Sequence, residues 1–393
     1  MKTLFVTLGS PCPPERGARV RDFQLIRRIA ATGETALLAL VEDEPAERAT
    51  AGMRDVCTRV DAVVLRAGDP WTPRAPRPWP LAGRPFLSLA AVSRLREMVD
   101  ALDPDVVQIE HSLLAPYVSA LDPAGRARTV LSMHNVGFRQ YATMSRTAAS
   151  LRERWGFALK AALLARMERR LLPRFDAVVV VSEEERRLLR GIAPGIDPAI
   201  VPNGIDTTAC RLLEPDPRGG LLFVGNLSYR PNVDAIVHFC AETLPILHRS
   251  HPELDVTITG PEPPEEVRRL GRLPHVEVTG RVDDLEPIYR RARLCIAPLR
   301  AGGGTRLKIL EAMAYGRPVV STRFGCEGLD VENGREVLLA DRPEDFARAI
   351  VGALDDPVLC EGLRTRARAL VERNYDWQQS SERLQALHRR IAS

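Results

Sequence analysis

Apolar runs of strand length alternate with amphipathic helical stretches from one end of the chain to the other, and this alternation limits the possible folds more than any other feature. Examples are 3–8, 36–40, 106–109, 130–133 and 177–181, and the pattern resumes at 220–224, 255–259, 276–278, 294–297 and 318–321. Nearly continuous Val, Ile and Leu belongs to strands covered on both faces, as in a parallel sheet between two layers of helices. The pattern is built twice. The predicted fold class is therefore α/β, with two Rossmann-like, doubly wound parallel-sheet domains. At 393 residues the chain is too long for one ordinary core and suits two domains of near-equal size. The break falls near Val201-Pro202-Asn203-Gly204-Ile205-Asp206, where an Asn-Gly pair behind a proline reads as a turn and linker. That gives one domain over residues 1–204 and a second over 205–376.

Composition excludes several classes. Hydrophobic residues make up 45% and charged residues 27%, so wholesale disorder is not expected. A net charge of +4 is too small to argue for nucleic acid as a partner. The seven cysteines, at 12, 57, 210, 240, 295, 326 and 360, form no Cys-x-x-Cys pair and read as small buried residues in a reducing cytoplasm. The N-terminal apolar run is too short for a secretory core, and no stretch reaches the roughly 18 apolar residues of a membrane span. The irregular segment 68–85, crowded with Pro, Arg and Trp, is a disordered loop or an ordered surface over the cleft, and its two tryptophans favour the ordered reading. A predicted helix over 150–172 carries Leu151, Trp155, Leu159, Leu163 and Met167 on one stripe, with Arg152, Arg154, Lys160, Arg166, Arg169 and Arg170 around it. Packing of that stripe on the domain core is expected. Peripheral contact with an anionic membrane is its other use, and would place a cytoplasmic protein at the inner face of the membrane.

The stretch 294–328, LCIAPLRAGGGTRLKILEAMAYGRPVVSTRFGCEG, carries the chemistry. A strand is followed by Ala301-Gly302-Gly303-Gly304-Thr305, a loop that can approach a ligand closely, and then by a helix to about Tyr315. Gly316 suits the left-handed position after the helix, and Pro318 stops it. A helix N-terminus presents unpaired N–H groups and the positive end of a dipole. Arg306 and Lys308 add cations there, each unfavourable by roughly 0.3–1 kcal/mol until an anion binds. Glu311, one turn on, is placed to accept hydrogen bonds from vicinal hydroxyls such as those of a ribose. A nucleoside diphosphate bearing a sugar fits all three features.

This segment closely resembles the nucleotide-sugar site of the retaining GT-B glycosyltransferases of family 4, also called glycosyl transferases group 1. Other stretches match in the right order: PPERGAR at 13–19 with Gly17 in place, His134-Asn135 after the strand 130–133, FDAVVVVSE at 175–183, and VPNGID at 201–206. FVGNLSYRPN at 223–232, VTGRVDDL at 278–285 and Tyr375–Trp377 follow. The resemblance implies two domains facing a central cleft, with a C-terminal helix over about 377–393 packing back on the first. It implies donor contacts from Gly17, Asn226, Arg281, Val282, Gly302, Gly303, Gly304, Thr305 and Glu311, with His134, Arg306 and Lys308 at the reacting centre. Two departures stand out. The family's donor motif has two glutamates eight positions apart, and the first position here is Gly303. Its usual Arg and Lys after the second domain's first strand fall at Asn226 and Pro231. Arg306 and Lys308 are expected to take over the phosphate charge, with Arg230 a lesser candidate.

The implied reaction moves a sugar, with retention, from a nucleoside diphosphate sugar to a hydroxyl of a glycan, lipid-linked or small-molecule acceptor. The donor is a co-substrate, with UDP or GDP expected, and no further cofactor is implied. No Asp-x-Asp motif sits in a suitable loop, so no metal is expected; Asp283-Asp284 reads as a cap for the following helix. His134 ends a buried strand, where ligands bind in open α/β sheets. Glu110 and His111 follow the strand 106–109 on the same edge and are candidates to orient or deprotonate the acceptor, or are structural. Alternatives are a homologue that binds nucleotide sugar without transfer, or a nucleotide-sugar epimerase or phosphorylase.

Overall fold

The computed structural model describes the chain except residues 15–16, 66–87, 122–124, 147, 149, 215 and 303–305. The irregular segment 68–85 thus lies outside the described residues. The described chain divides into two compact units, one of residues 1–203 with 377–393 and one of 204–302 with 306–376.

The first unit holds a seven-stranded sheet of order β3-β2-β1-β4-β5-β6-β7, parallel throughout. Its strands are β1 (Lys2–Leu8), β2 (Glu34–Val41), β3 (Arg59–Val64), β4 (Val106–Glu110), β5 (Arg128–Ser132), β6 (Ala177–Val180) and β7 (Ala199–Ile200). Chain order reverses between β1 and β4, which makes the carboxyl ends of those strands the switch point where α/β sheets bind ligands. Alternate residues of the central strands differ in kind. Leu4, Val6, Val107, Ile109 and Leu131 join one apolar core. Thr3, Thr7, Gln108, Glu110 and Ser132 are equally buried and polar. Helix Gly17–Ala30 and helix Trp377–Ala392 pack on each other, and contacts from Asp22 and His388 place both on the polar face.

The second unit holds a six-stranded parallel sheet of order β10-β9-β8-β11-β12-β13. Its strands are β8 (Gly220–Val224), β9 (Val256–Thr259), β10 (Val276–Gly280), β11 (Ala292–Ala297), β12 (Val319–Ser321) and β13 (Leu338–Leu339). The switch point lies between β8 and β11. Leu221, Phe223, Ile258, Leu294 and Val320 serve one core, while Leu222, Cys295, Ala297 and Val319 meet helix Leu307–Ala314 in another. Gly316 has φ +71° after that helix, as the left-handed position requires. Arg317 is fully buried and donates to the backbone carbonyls of Ala292 and Leu213, tying β11 to the entry loop.

All seven cysteines are free. Asp284 Oδ1 accepts from the Glu286 N–H at 3.0 Å, at the start of helix Glu286–Arg291. The stripe on helix Leu151–Leu171 departs from expectation. Leu151, Trp155 and Leu159 are 73%, 74% and 49% exposed, and the buried positions are Leu164, Glu168 and Leu171. The helix pairs with Gly137–Arg146, with Phe157 stacked on Tyr141 and Lys160 over both rings, so the core-facing side is rotated away from the stripe.

Candidate active site

In the first unit, two neighbouring parallel strands and a helix deliver side chains to one edge. Glu110 closes β4, and His134 stands two residues past the end of β5. Asp22 and Arg21 reach the same edge from the buried side of helix Gly17–Ala30. His134 Nε2 donates to Glu110 Oε2 at 2.9 Å, and Asp22 Oδ1 is 3.1 Å from the same nitrogen. Arg21 donates to Asn203 Oδ1 at 2.7 Å and to the Pro202 carbonyl at 3.2 Å, anchoring the linker's first residues to the site. His111 has φ +88°, and its Nδ1 accepts from the Leu113 N–H at 3.1 Å. The His111 and His134 rings meet edge to face at 5.7 Å.

The charges follow from this geometry. Burial disfavours an imidazolium at His134, but the charge and hydrogen bonding of Asp22, and then of Glu110, outweigh it and raise the group to about 9. Burial, together with the positive His134, pushes His111 down to about 3, so it is neutral. Asp22, Glu110 and His134 also bring one ligand atom each within 4.8 Å of one another. The histidine nitrogen nearest both carboxylates is Nε2, and the two carboxylates favour its protonated form. The trio is thus arranged as an ion pair around an imidazolium. His134 Nδ1 is buried with no hydrogen-bond partner among the described residues.

A third carboxyl lies close by. Glu168 accepts from the Gly137 N–H at 3.1 Å at the start of helix Gly137–Arg146, and burial raises it to about 8. A Cβ at position 137 would come within 3.0 Å of that carboxyl oxygen, which explains the glycine.

In the second unit, Arg306 and Lys308 stand at the start of helix Leu307–Ala314. Lys308 Nζ lies 4.5 Å from the centre of the Phe223 ring and donates to Asn232 Oδ1 at 2.7 Å. Asn232 in turn donates to the Asn226 carbonyl at 2.8 Å. A Cβ at Gly225 would meet both Asn232 Nδ2 and Lys308 Nζ at 2.9 Å, so only glycine lets the lysine lie against this loop. Burial and the neighbouring Arg306 lower Lys308 to about 7. Arg306 is itself buried, over the Phe324 ring. Glu311 Oε2 accepts from Tyr289 Oη at 2.9 Å, and burial raises its carboxyl. Tyr289 stacks on Tyr315 with ring centres 4.6 Å apart.

Residues 218–356 match the glycosyl transferases group 1 family, and residues 43–209 match Glycosyltransferase Family 4. The chain belongs to the GT-B glycosyltransferases. Glycogen synthase of Mycobacterium tuberculosis is 30% identical over 199 residues, covering 47% of each chain. The chain spans about half the length of the curated relatives it matches. The fold is shared at full length with sucrose-phosphate synthase from Thermosynechococcus elongatus, with a TM-score of 0.74, 20% identity and coverage of 100% of this chain and 99% of that one. Anabaena HepE, solved in complex with UDP and glucose, gives a TM-score of 0.70 at 15% identity, covering 98% and 99%.

Within this GT-B frame the expected site residues sort by unit. His134, Glu110 and His111 come together in the first; Arg306, Lys308, Glu311 and Asn226 lie around one helix start in the second. Gly302 has φ +116°, and a Cβ there would press on Tyr229 and Pro231. Gly303, Gly304 and Thr305 lie outside the described residues. Gly17 begins the first helix and is exposed. Arg281 and Val282 follow β10, an edge strand two removed from β8; Arg281 pairs with Asp283 at 3.4 Å and Val282 packs on the core. Arg230 is exposed and pairs with Glu266 at 2.5 Å, while its neighbours Tyr229 and Pro231 border Gly302. Sequence reasoning missed Asp22, Arg21, Asn232 and Tyr289. The one signal was an Arg-Asp pair inside the amphipathic pattern of the first helix.

Proposed function

We propose that this chain transfers a sugar from a nucleoside diphosphate sugar to an acceptor hydroxyl, with retention and without a metal ion. The observation that carries the reading is the pair Arg306 and Lys308, two buried cations at a helix N-terminus, where the lysine's bonded partner is a neutral amide. Such a place favours a dianion. The two cations and the helix N–H groups would stabilise charge as the nucleoside diphosphate departs. Glu311, steadied by Tyr289, would accept from the ribose hydroxyls. UDP is the favoured nucleotide, in line with the UDP bound to HepE.

On the first unit, the unmatched Nδ1–H of the His134 imidazolium is a donor for an oxygen of the transferred sugar, and a buried donor left unmatched costs about 1–3 kcal/mol. The acceptor reading extends to lipid-linked hydroxyls. Leu151, Trp155 and Leu159 are exposed beside Arg152, Arg154 and Lys160, a pattern that suits the headgroup region of an anionic bilayer. Among the described residues no helix is long and apolar enough to cross a membrane, and the contact proposed is a peripheral one.

A thermal-shift screen against UDP-, GDP-, ADP- and dTDP-sugars, followed by a transfer assay in excess chelator, tests the reading. Stabilisation by one nucleotide series and transfer that persists in chelator are expected. Binding without turnover on any acceptor would convert the protein into a sensor, and loss of activity in chelator would overturn the metal-free mechanism.

A further inference from the structure

A buried polar line crosses the first unit from its last helix to the site. His388, on helix Trp377–Ala392, is fully buried, and its Nε2 meets Gln108 Oε1 at 2.6 Å. Gln108 Nε2 donates to Glu110 Oε1 in a very short contact, and Glu110 Oε2 receives His134 Nε2 at 2.9 Å. Gln108 and Glu110 are two apart on β4, so both project to the same face of the sheet. Between Val107 and Ile109, which serve the apolar core, a glutamine needs partners at both ends of its amide.

Each step of this line has a direction. Burial lowers His388 to about 4, against the pull of the Glu110 charge, so the ring is neutral and has one N–H. Its Nδ1 is buried without a partner among the described residues. An unmatched lone pair is tolerated more readily than an unmatched N–H, so the proton belongs on Nε2 and is donated to Gln108. A donor at that end fixes the amide, with its oxygen toward His388 and its NH2 toward Glu110. The carboxylate is then held by one oxygen and presents the other to His134.

We propose that His388 is a positioning residue for the His134 site: it holds the Gln108 amide in the one orientation that donates to Glu110, and so keeps the Glu110 carboxylate bound to His134. Without it the amide is free to turn its oxygen toward Glu110, and two acceptors would face each other. The other charges around His134 are Asp22 and Arg21 from the first helix, Glu110 from β4, and the neutral His111 beside it. Glu185 acts on Arg21 from helix Glu183–Ile192. His388 is hydrogen-bonded to Gln108 and feels the Glu110 charge beyond it, so its effect is expected to pass through Gln108 to Glu110.

Only the activity arm of the test rests on the transferase reading. The imidazole C–H resonances of His134 are titrated by NMR without any sugar present, in the wild type, His388→Phe, His388→Gln and Gln108→Leu. The His134 midpoint is expected to fall by about one pH unit, a tenfold change in proton affinity, in His388→Phe and Gln108→Leu. It returns toward the wild-type value in His388→Gln, whose amide donates from the same place. In the transfer assay, kcat at pH 8 falls and the alkaline limb of the pH profile moves to lower pH, while donor KM holds. An unmoved His134 titration in folded His388→Phe overturns the proposal. If His388→Phe does not fold, an unmoved titration in Gln108→Leu overturns it equally. Equal shifts in His388→Phe and His388→Gln assign the effect to packing and also overturn it. A moved titration in a protein that transfers nothing leaves the relay standing and removes the transferase reading.

Discussion

Lys308 Nζ and Asn232 Oδ1 are 2.7 Å apart, so the buried lysine at the start of helix Leu307–Ala314 is matched by an amide that carries no charge to offset its own. Because burial and Arg306 hold it near 7, it is about half protonated at neutral pH in the free protein. A bound diphosphate favours the charged form and raises this value. Nucleoside diphosphate affinity should therefore be greatest below pH 7 and weaken as pH rises above it, by at most about tenfold per unit. Calorimetry between pH 6 and 9 reads this directly, and Lys308→Met should bind more weakly with the dependence lost.

Arg306→Ala and Lys308→Ala should each lower turnover more than substrate affinity, because they act on charge that develops as the diphosphate leaves. Sharing one phosphate, they should be non-additive in a double-mutant cycle. An additive pair that changes only KM would assign both to donor attraction.

Glu311→Ala should weaken nucleoside diphosphate binding by about 1.5–3 kcal/mol, the range for a hydrogen bond to a charged group. Tyr289→Phe removes the hydroxyl that steadies Glu311 and should have a smaller effect in the same direction. Unchanged affinity in Glu311→Ala would remove the ribose assignment.

Glu168 supplies a stability test separate from catalysis. Burial raises its folded value to about 8 from an ordinary carboxyl value, so its contribution is fully present below about pH 4.5 and is lost as pH rises through 8. Glu168→Gln keeps an acceptor for the Gly137 N–H but cannot ionise. Its melting temperature should match or fall slightly below the wild type at pH 5 and exceed it at pH 9, by the equivalent of about 1–3 kcal/mol.

The exposed stripe predicts binding to vesicles containing phosphatidylglycerol, with a blue shift of Trp155 fluorescence. Trp155→Ser should weaken it, and salt should weaken it further. Equal binding to neutral vesicles would detach the basic residues from the contact.

Much of the architecture is legible in the sequence because it is local. The interior strands are buried on both faces and largely apolar, so they stand out as runs, whereas β7 and β13 are two-residue edges with no such mark. Arg306, Lys308 and Glu311 lie within six positions of one helix start, so helical geometry alone groups them. Asp22, Gln108 and His388 are scattered along the chain and meet only through the sheet order and the return of the last helix. In the sequence each is one polar residue in an otherwise regular pattern. The stripe from Leu151 to Met167 misleads for the opposite reason: its periodicity is genuine, but the face it marks points to solvent for its first turns.

The first unit is assembled from two separate stretches, with the second unit's residues between them. Every residue of the second unit precedes Trp377, so the part of the polar face that holds Gln108 is covered only by the last stretch of the chain. Helix Trp377–Ala392 then brings Trp377, Leu384 and His388, all buried, onto that face. The polar line to His134 is therefore finished last, and a chain cut before Trp377 should hold all of the second unit together with a first unit that exposes the seat of its missing helix and that chaperones can engage.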